Sequence, residues 1–366
     1  MDIKALVKEM IEKKASDLHL RSGNPTVMRV DGNLVLMDKT PSPAEISELA
    51  QNLMNPEQKN FFAIRHEVDL AYTFAEIGRF RINIFMQRGV INMALRIIPS
   101  KIPLITELKL PKVISQIADN RRGLVLVTGT TGCGKSSTLA AMINHININR
   151  TENIITIEDP IEFMHKDNKS IVSQRELGFD TLTYLDALKN VVRQDPDVIL
   201  VGEMRDLETV ATAITAAQTG HLVISTIHTV NASQTINRIV DLFPPHQQNQ
   251  TRMLLADTLK AVISQRLLPH ASGIGRVPAV EVLVVTPLVK KMIEDNNLSE
   301  VVSLMKQGQF YGMQTFNQAL IKLFQAGEIR LEDALNAASN PEELMLAIRG
   351  IQTSTEDAQH NSFFEK

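Results

Sequence analysis

The segment Gly129–Ser136 reads Gly-Thr-Thr-Gly-Cys-Gly-Lys-Ser, which is the pattern of a loop that wraps a chain of phosphates. An apolar, strand-like run precedes it and a helical pattern follows. Backbone N–H groups of such a loop surround phosphate oxygens, and the helix start adds partial positive charge. We expect Lys135 to reach the terminal phosphates and Ser136 to bind Mg²⁺. The other residues predicted to bind the phosphates are Gly129, Thr130, Thr131, Gly132, Cys133, Gly134 and Ser137.

A second apolar run, Val-Ile-Leu-Val, ends in Gly202-Glu203. Gly202 occupies the position where phosphate-loop proteins usually hold Mg²⁺ with an aspartate. Glu203 is therefore the carboxylate that we expect to polarise the attacking water or to hold a magnesium-bound water. Taken alone, a solvated acid at a strand end is the simpler interpretation, and the phosphate-binding loop in the same chain favours the chemical role.

A third strand-like run ends in the segment TIEDPIEF, where Glu158, Asp159 and Glu162 surround Pro160. Ligand crevices of parallel sheets lie at the carboxyl ends of the strands, so these carboxylates could face the phosphate-binding loop. Asp-Pro turn chemistry with ordinary surface charge explains the same residues equally well. The residues alone leave both interpretations open.

Histidines and arginines could sense the terminal phosphate. His221 and His228 bracket the run HLVISTIH, and His228 is the better candidate because it stands where the strand would leave toward the crevice. Structural histidines are commoner, and no spacing supports metal binding by these two. Arg79, Arg81 and Arg96 lie on the polar faces of two alternating segments. These arginines either neutralise the charge of a phosphate bound in the other domain or form a solvated sheet face. The residues alone slightly favour the solvated face.

The N-terminal part of the chain has the pattern of an α+β domain with an antiparallel sheet. Apolar spacing over residues 4–14 predicts an amphipathic helix, and helical periodicity returns over residues 44–63. The segment RVDGNLVLM predicts a hairpin that turns at Asp31-Gly32. Two alternating segments follow, and each is expected to place its apolar residues on one face. Those residues are Phe80, Ile82, Ile84 and Met86 in the first segment and Ile91, Met93, Leu95 and Ile97 in the second.

The rest of the chain alternates apolar strands with helical patterns, which predicts an α/β fold with a largely parallel sheet covered by helices. The pattern becomes almost entirely helical after Thr286. We therefore divide the chain into an N-terminal α+β domain (1–98), a proline-containing linker (99–112), a core that carries the phosphate-binding loop (113–285), a C-terminal helical region (286–350) and a disordered tail (351–366).

Composition limits the class of protein. The chain has 366 residues with a net charge of −3, and only 4% are aromatic with no Trp, which disfavours nucleic-acid binding. One cysteine is too few for a disulfide framework or a cysteine-rich zinc site. The N-terminus lacks the apolar core of a signal peptide, and the apolar runs are too short to span a bilayer. We expect a cytoplasmic protein without direct membrane insertion.

Four segments in this order resemble the secretion ATPase superfamily: the phosphate-binding loop, TIEDPIEF (its Asp box), VILVGEMRD (its Walker B segment) and TGHLVISTIHT (its His box). Together with ASDLHLRSG, GRFRINIF and GMQTFNQAL they are most similar to the PilT/PilU retraction proteins of type IV pilus machines. The resemblance covers residues 1 to about 350. It implies a RecA-like ATPase domain with a smaller, PAS-like N-terminal domain, and ATP with Mg²⁺ as ligands.

The resemblance also implies roles for individual residues. Glu162 is the Asp-box catalytic glutamate, Glu203 the Walker B glutamate and Lys135 with Ser136 the Walker A pair. Glu158 also lies in the Asp box and is placed in the nucleotide-binding set. His221 and His228 fall on the His box, with His228 in the catalytic set and His221 in the nucleotide-binding set. Arg81 and Arg96 fall where family members supply arginines to the γ-phosphate.

Family members of this kind form cytoplasmic hexameric rings at the base of the pilus, under a platform protein of the inner membrane. The stretch after the ATPase core is more similar to PilU and the SDLHL and GEMRD segments are more similar to PilT, so a PilU-like subtype is favoured. The main hypothesis is thus a hydrolysing hexameric motor that retracts pili. The alternative is an ATP-binding accessory subunit that depends on a related retraction ATPase and hydrolyses little alone.

Overall fold

The structure, a computed structural model, describes residues 2–30, 32–99 and 101–350. Their contacts divide the chain into two compact units. The described residues up to Lys101, together with Glu162–Met164, form the N-terminal unit. The described residues from Ile102 to Ile161 and from His165 to Gly350 form the second unit. Each unit has its own sheet and its own apolar core.

Strands and helices in the described part of the N-terminal unit are α1 (Ile3–Glu12), β1 (Ala15–Leu20), β2 (Val27–Val30), β3 (Asn33–Leu36), α2 (Pro43–Leu53), α3 (Pro56–Arg65), β4 (Glu67–Phe74), β5 (Gly78–Gln87) and β6 (Val90–Ile98). The strands form an antiparallel sheet in the order β3-β2-β1-β6-β5-β4. The predicted hairpin is confirmed because Val30 pairs with Asn33. Its turn residue Asp31 lies outside the described residues.

Helix α1 confirms the predicted amphipathic helix and buries Leu6, Val7 and Met10. The helical periodicity over residues 44–63 belongs to two helices, α2 and α3, rather than one. Each begins with a capping box and with proline in its first turn, at Ser42 and Asn55 respectively. Proline is favoured at the start of a helix and breaks its interior, so the second proline ends one helix and starts the next.

The alternation in β5 and β6 places the predicted apolar face inward. Phe80, Ile82 and Ile84 are fully buried, and Met93 and Leu95 in β6 are buried beside them. Met86 departs from the prediction with an exposed fraction of 37%, because it stands near the end of β5 where the core no longer covers the sheet. This sheet face and the three helices form the core of the N-terminal unit.

Strands of the second unit are β7 (Gly123–Thr128), β8 (Asn153–Glu158), β9 (Ile171–Glu176), β10 (Val198–Val201), β11 (Leu222–Ile227), β12 (Leu259–Pro269) and β13 (Arg276–Val284). Its α-helices are α4 (Val113–Ala118), α5 (Lys135–Asn149), α6 (Tyr184–Val191), α7 (Leu207–Gln218), α8 (Ala232–Asp241), α9 (Pro245–Thr258), α10 (Pro287–Glu294), α11 (Val301–Gln307), α12 (Phe316–Gln325), α13 (Leu331–Ala337) and α14 (Pro341–Ile348). The strand order is β13-β12-β7-β11-β10-β8-β9, and every neighbouring pair is parallel except β12 with β13.

The largely parallel sheet confirms the sequence prediction, and its central strands are buried on both faces. Alternate residues of β7 enter different apolar clusters, Leu124 and Leu126 on one face and Val125 and Val127 on the other. This explains why β7, β10 and β11 are buried along their whole length, including Ser225 and Thr226 of β11, since helices cover both sides of a parallel sheet. Strands β9, β12 and β13 had no counterpart in the sequence prediction, because polar residues interrupt their apolar pattern.

The last three helices, α12 to α14, pack against the β12–β13 hairpin. Phe316 and Leu320 of α12 form an apolar cluster with Leu268, Val277 and Ala279 of the hairpin. No helix within residues 2–30, 32–99 and 101–350 is both long and apolar enough to cross a membrane.

Candidate active site

The phosphate-binding loop joins the end of β7 at Thr128 to the start of α5 at Lys135. Gly132 and Gly134 adopt positive φ angles of 78° and 95°, a conformation that favours glycine. At Gly129 there is no room for a side chain, because a Cβ there would lie 2.5 Å from the Cys133 Sγ and 2.5 Å from the backbone oxygen of Gln265. The tight loop turns directly into α5, so the first N–H groups of that helix are directed toward an anion in the loop.

Lys135 lies within this loop. Its Nζ donates to the backbone oxygens of Gly129 at 2.9 Å and of Thr130 at 3.0 Å. Ser136 is half-buried in the first turn of α5 beside it, and Thr130, Thr131 and Gly132 are exposed. Phosphate oxygens can replace the two carbonyls as partners of the ammonium, which is the exchange that a nucleotide requires.

Cys133 is almost fully buried, with an exposed fraction of 4%. Burial raises the pKa of its thiol, although the charge of Lys135 acts in the opposite direction. Because the thiolate is the reactive form, this environment disfavours oxidation of the loop. The side chain instead fills the space left by the missing Cβ of Gly129.

Two buried polar contacts from β12 support the loop from behind. Thr128 donates from its hydroxyl to the Ser264 hydroxyl at 2.9 Å, and the amide nitrogen of Gln265 donates to the Thr138 hydroxyl at 2.8 Å. These contacts hold the strand before the loop and the helix after it. No local pattern predicts these contacts, because they depend on the pairing of β12 with β7.

Glu203 follows β10 and forms a cluster with two basic side chains. Its Oε2 is paired with the Arg205 guanidinium at 2.7 Å, and its Oε1 with the His228 Nε2 at 3.1 Å. Partial burial acts to raise the pKa of Glu203, but the hydrogen bond from Arg205 and the charges of His228 and Arg205 outweigh it and hold the pKa below its ordinary value. Glu203 is therefore a carboxylate at neutral pH, with both oxygens engaged.

The structure explains why Gly202 replaces an acidic residue. A Cβ at this position would lie 2.9 Å from the Tyr184 hydroxyl and 3.2 Å from the backbone oxygen of Ile157. Burial raises the pKa of Tyr184, and the charges of Asp159 and Glu203 raise it further. Tyr184 thus stays neutral among the carboxylates at the ends of β8 and β10, in the space that an aspartate would need.

The Asp-box residues divide between the two units. Glu158 ends β8 and its Oε1 accepts hydrogen bonds from the Thr156 hydroxyl at 2.6 Å and the Gln174 amide at 3.0 Å. Glu162 belongs by its contacts to the N-terminal unit. Of the two carboxylates, only Glu158 is therefore placed by the second unit's own sheet.

The two histidines lie at opposite edges of that sheet. His228 follows the end of β11 and reaches Glu203, as described above. His221 precedes the start of β11, where its Nδ1 contacts the backbone oxygen of Ala216 at 2.9 Å and its own backbone oxygen accepts from Gly123. Gly123 is the first residue of β7, and the phosphate-binding loop follows the last residue of that strand. His221 is therefore one strand length away from the phosphate-binding loop of its own chain.

The arginines of the N-terminal unit pair with acids of that unit. Arg96 forms an ion pair with Asp17 at 2.7 Å, and Arg81 lies 3.6 Å from Asp69. The Arg81–Asp69 pair is exposed on both sides and contributes little stability, whereas Asp17 is buried and Arg96 is one of the groups that lower its pKa.

Magnesium fits this site only together with a nucleotide. Among the described residues, no group of three or more His, Cys, Asp or Glu side chains is arranged to hold a metal ion. Mg²⁺ commonly keeps several waters and is held by one or two protein groups plus substrate phosphates. The Ser136 hydroxyl at the loop and the carboxylates at the strand ends fit that arrangement.

The loop, Glu203 and His228 are predicted by sequence motifs, whereas Arg205 and Tyr184 were not among the predicted residues. Arg205 follows Glu203 by two residues, so its spacing was a signal that could have been used. The contact between Tyr184 and Gly202 depends on how α6 packs beside β8 and β10, which no local pattern reveals.

Comparisons with known proteins agree with this geometry. Residues 1–336 match the family described as type II/IV secretion system protein. The chain is 44% identical to the type IV pilus ATPase PilU of Pseudomonas aeruginosa, over 99% of this chain and 94% of that protein. It is 42% identical to the type IV pilus retraction ATPase PilT of the same organism, over 93% of this chain and 99% of that protein.

Solved structures give the same result. The structure of the pilus retraction motor PilT with bound ADP has a TM-score of 0.89 and 46% identity, and covers 94% of this chain and 99% of that one. The Legionella pneumophila ATPase DotB has a TM-score of 0.75 and 27% identity, with 95% of each chain covered. The chain therefore belongs to the type II/IV secretion system protein family, in the branch that contains PilT and PilU.

Proposed function

We propose that the chain is an ATPase that powers retraction of type IV pili in twitching motility. The observation that carries the proposal is the meeting of two groups at one edge of the sheet, the phosphate-binding loop with Lys135 and the Glu203–His228 pair. The similarity to PilT and PilU over nearly the whole chain supports the biological role. No observation favours the accessory subunit that hydrolyses little alone.

In the proposed reaction the loop binds the phosphates of ATP through its backbone N–H groups. Lys135 exchanges the oxygens of Gly129 and Thr130 for oxygens of the β and γ phosphates. Mg²⁺ bound with ATP neutralises phosphate charge, and Ser136 would hold it. Binding therefore needs rotation of one side chain rather than rearrangement of the loop.

Glu203 is the proposed group that positions the attacking water and receives its proton. Its lowered pKa keeps it ionised at neutral pH, and Arg205 keeps one of its oxygens in place while the other can exchange His228 for water. His228 then becomes able to donate to the γ-phosphate. In-line phosphoryl transfer needs mainly such positioning and charge.

The remaining assignments are also proposals. We propose that Glu162, Arg81 and Arg96 act on the γ-phosphate from the N-terminal unit, that Glu158 supports the loop side of the site, and that His221 belongs to the nucleotide-binding set. We further propose a homo-hexamer that acts in the cytoplasm at an inner-membrane platform protein, alone or with a related retraction ATPase. The domain limits at residues 98, 112 and 285 remain proposals as well, and the tail predicted over residues 351–366 lies outside the described residues.

Steady-state phosphate release by the purified full chain tests the proposal. We expect turnover that is lost in Lys135→Ala and in Glu203→Gln, with both variants still folded. Lys189→Ala and Glu332→Gln change exposed residues of the same types and should keep wild-type turnover. A wild-type protein that binds ATP without turnover, or turnover that survives both site substitutions, would overturn the assignment.

A further inference from the structure

A buried carboxylate on β13 has no part in the reaction described above. Glu281 has an exposed fraction of 6%, and its Oε1 accepts a hydrogen bond from the backbone N–H of Ala232 at 2.9 Å. Its pKa is raised, because burial outweighs the N–H of Ala232, the charge of Arg266 and the N–H of Phe316, which lower it. A buried carboxylate is costly unless its hydrogen bonds are made, so these contacts fix its position.

One partner of Glu281 begins the helix that follows the catalytic histidine. Ala232 is the first residue of α8 and stands four positions after His228. The intervening segment is held locally as well. The Asn231 side chain caps α8 by accepting from Gln234 at 2.8 Å, and the hydroxyls of Thr229 and Thr235 lie 2.7 Å apart. Glu281 therefore holds the far end of a short, hydrogen-bonded segment that carries His228.

The other partner begins a C-terminal helix. Phe316 is the first residue of α12, and its ring lies under the Arg266 guanidinium at 3.9 Å from the ring centroid. Arg266 also donates to the backbone oxygen of Ala337, at the end of α13. Gln314, just before α12, pairs with Val282 of β13 through two backbone hydrogen bonds of 2.9 and 3.1 Å. The C-terminal helices are thus anchored to the same hairpin as α8.

We propose that Glu281 is a positioning residue for ATP hydrolysis, which holds the starts of α8 and α12 together and thereby fixes the backbone segment that carries His228 at the carboxyl end of β11. The inference rests on the proposed role of His228 and adds a physical route from the C-terminal helices to the catalytic carboxylate. Small displacements of a catalytic group lower turnover strongly, so a contact at the base of this segment matters for the rate.

The test is a double-mutant cycle on the purified full chain, with phosphate release as the measurement. Glu281→Gln keeps the size of the side chain but replaces one acceptor oxygen with a donor. We expect kcat to fall about tenfold with KM for ATP unchanged within about twofold. In a His228→Ala background the same substitution should cause no further loss, because the positioned group is absent.

Glu152→Gln is the matched control, since Glu152 is also buried in this unit but precedes β8 at the opposite edge of the sheet. It should lower the unfolding temperature without lowering kcat. Ala232→Pro tests the contact from the donor side. Proline is favoured at the first position of a helix, and it is compatible with Asn231, the residue before it, because Asn231 has an extended backbone. The substitution removes the backbone N–H that donates a hydrogen bond to Glu281. It should reproduce the kcat loss of Glu281→Gln.

The outcomes separate the inference from the proposed function. Equal kcat for wild type and Glu281→Gln, or losses that add in the double variant, overturn the positioning role while the ATPase stands. If His228→Ala leaves kcat unchanged, the role of His228 fails, and the inference fails with it. Turnover that survives Lys135→Ala would instead refute the proposed ATP site.

Discussion

The two edges of the parallel sheet carry similar residues in different surroundings. At the amino edge, Glu152 is buried and paired with Arg150 at 2.8 Å, and His221 contacts the backbone of the preceding helix. At the carboxyl edge, Glu203 pairs with His228, which is 44% exposed. The amino edge is thus closed by contacts that stabilise the fold. The carboxyl edge holds its acid and histidine in contacts that a phosphate or a water can replace.

Strand polarity explains the difference. In a parallel sheet every strand ends at the same edge, and the following helices begin there with the positive ends of their dipoles. β11 has a histidine next to each end, yet only the one at the carboxyl end meets a carboxylate from the neighbouring β10. The residue type allows the chemistry, and the position along the strand decides whether it occurs.

Substituting the two glutamates should give the largest contrast between the edges. Glu203→Gln removes the carboxylate that positions water, and we expect kcat to fall by about 10²- to 10³-fold with little change in stability. Glu152→Gln breaks a buried ion pair with Arg150, and we expect the free energy of unfolding to fall by roughly 1–3 kcal/mol with kcat retained. Phosphate release and chemical denaturation measure the two quantities.

These two variants are controls for each other, because each replaces a partly or fully buried glutamate by its isostere. If Glu152→Gln lowers kcat as much as Glu203→Gln in protein that is still folded, the proposed difference in role between the two edges is wrong.

The two histidines should give a smaller contrast. His228→Ala removes the partner of Glu203, and we expect kcat to fall at least about tenfold. His221→Ala acts from the amino edge, where the ring contacts Ala216 and Thr219 at the end of α7, so we expect a smaller loss. Single-turnover hydrolysis with ATP already bound measures both. An equal or larger loss in His221→Ala would show that the amino edge also contributes to the nucleotide site, as its place in the His box implies.

The sequence predicted much of this edge but not its internal contacts. The loop, Glu203 and His228 were predicted because their motifs are local and follow short, mostly apolar strands. The pairing of Glu203 with His228 joins two residues 25 positions apart in the chain. It could be expected only once β10 and β11 were known to be neighbours. Strand β12, which supports the loop through Ser264 and Gln265, was missed because these polar residues interrupt its apolar pattern.

A substitution at the crowded position Gly202 should have a smaller effect, which a second substitution should partly reverse. Gly202→Ala would place a methyl group 2.9 Å from the Tyr184 hydroxyl, and we expect roughly 1–3 kcal/mol of destabilisation with some loss of turnover. Tyr184→Phe removes that oxygen and should restore part of both losses. Chemical denaturation and phosphate release on the single and double variants measure the effect.

Gly220→Ala provides the amino-edge counterpart. Gly220 has a φ of 114° and nothing within 4 Å of a Cβ, so alanine there is strained by its backbone rather than by a clash. Tyr184→Phe should not rescue it. Rescue of both glycine variants, or of neither, would contradict the packing explanation for Gly202.

The pH dependence of turnover should show the smallest effect. Glu203 has a lowered pKa in the folded protein, and the hydrogen bond from Arg205 is the largest of the contacts that lower it against burial. The carboxylate is therefore ionised, and its ion pairs intact, above the unfolded pKa, and both are lost as the pH falls through the folded pKa. Arg205→Ala should raise that pKa, so the acid limb of the kcat profile moves to higher pH.

Arg121→Ala is the matched control, because Arg121 pairs in the same way with Glu152 at the amino edge. It should leave the acid limb of kcat where it is, since Glu152 takes no part in turnover. A pH profile of phosphate release, restricted to the range in which all variants stay folded, measures the shift. An acid limb that moves equally in both variants would mean that it reports loss of the fold rather than protonation of Glu203. In that case the profile would give no support for Glu203 as a reactive carboxylate that distinguishes the carboxyl edge from the amino edge.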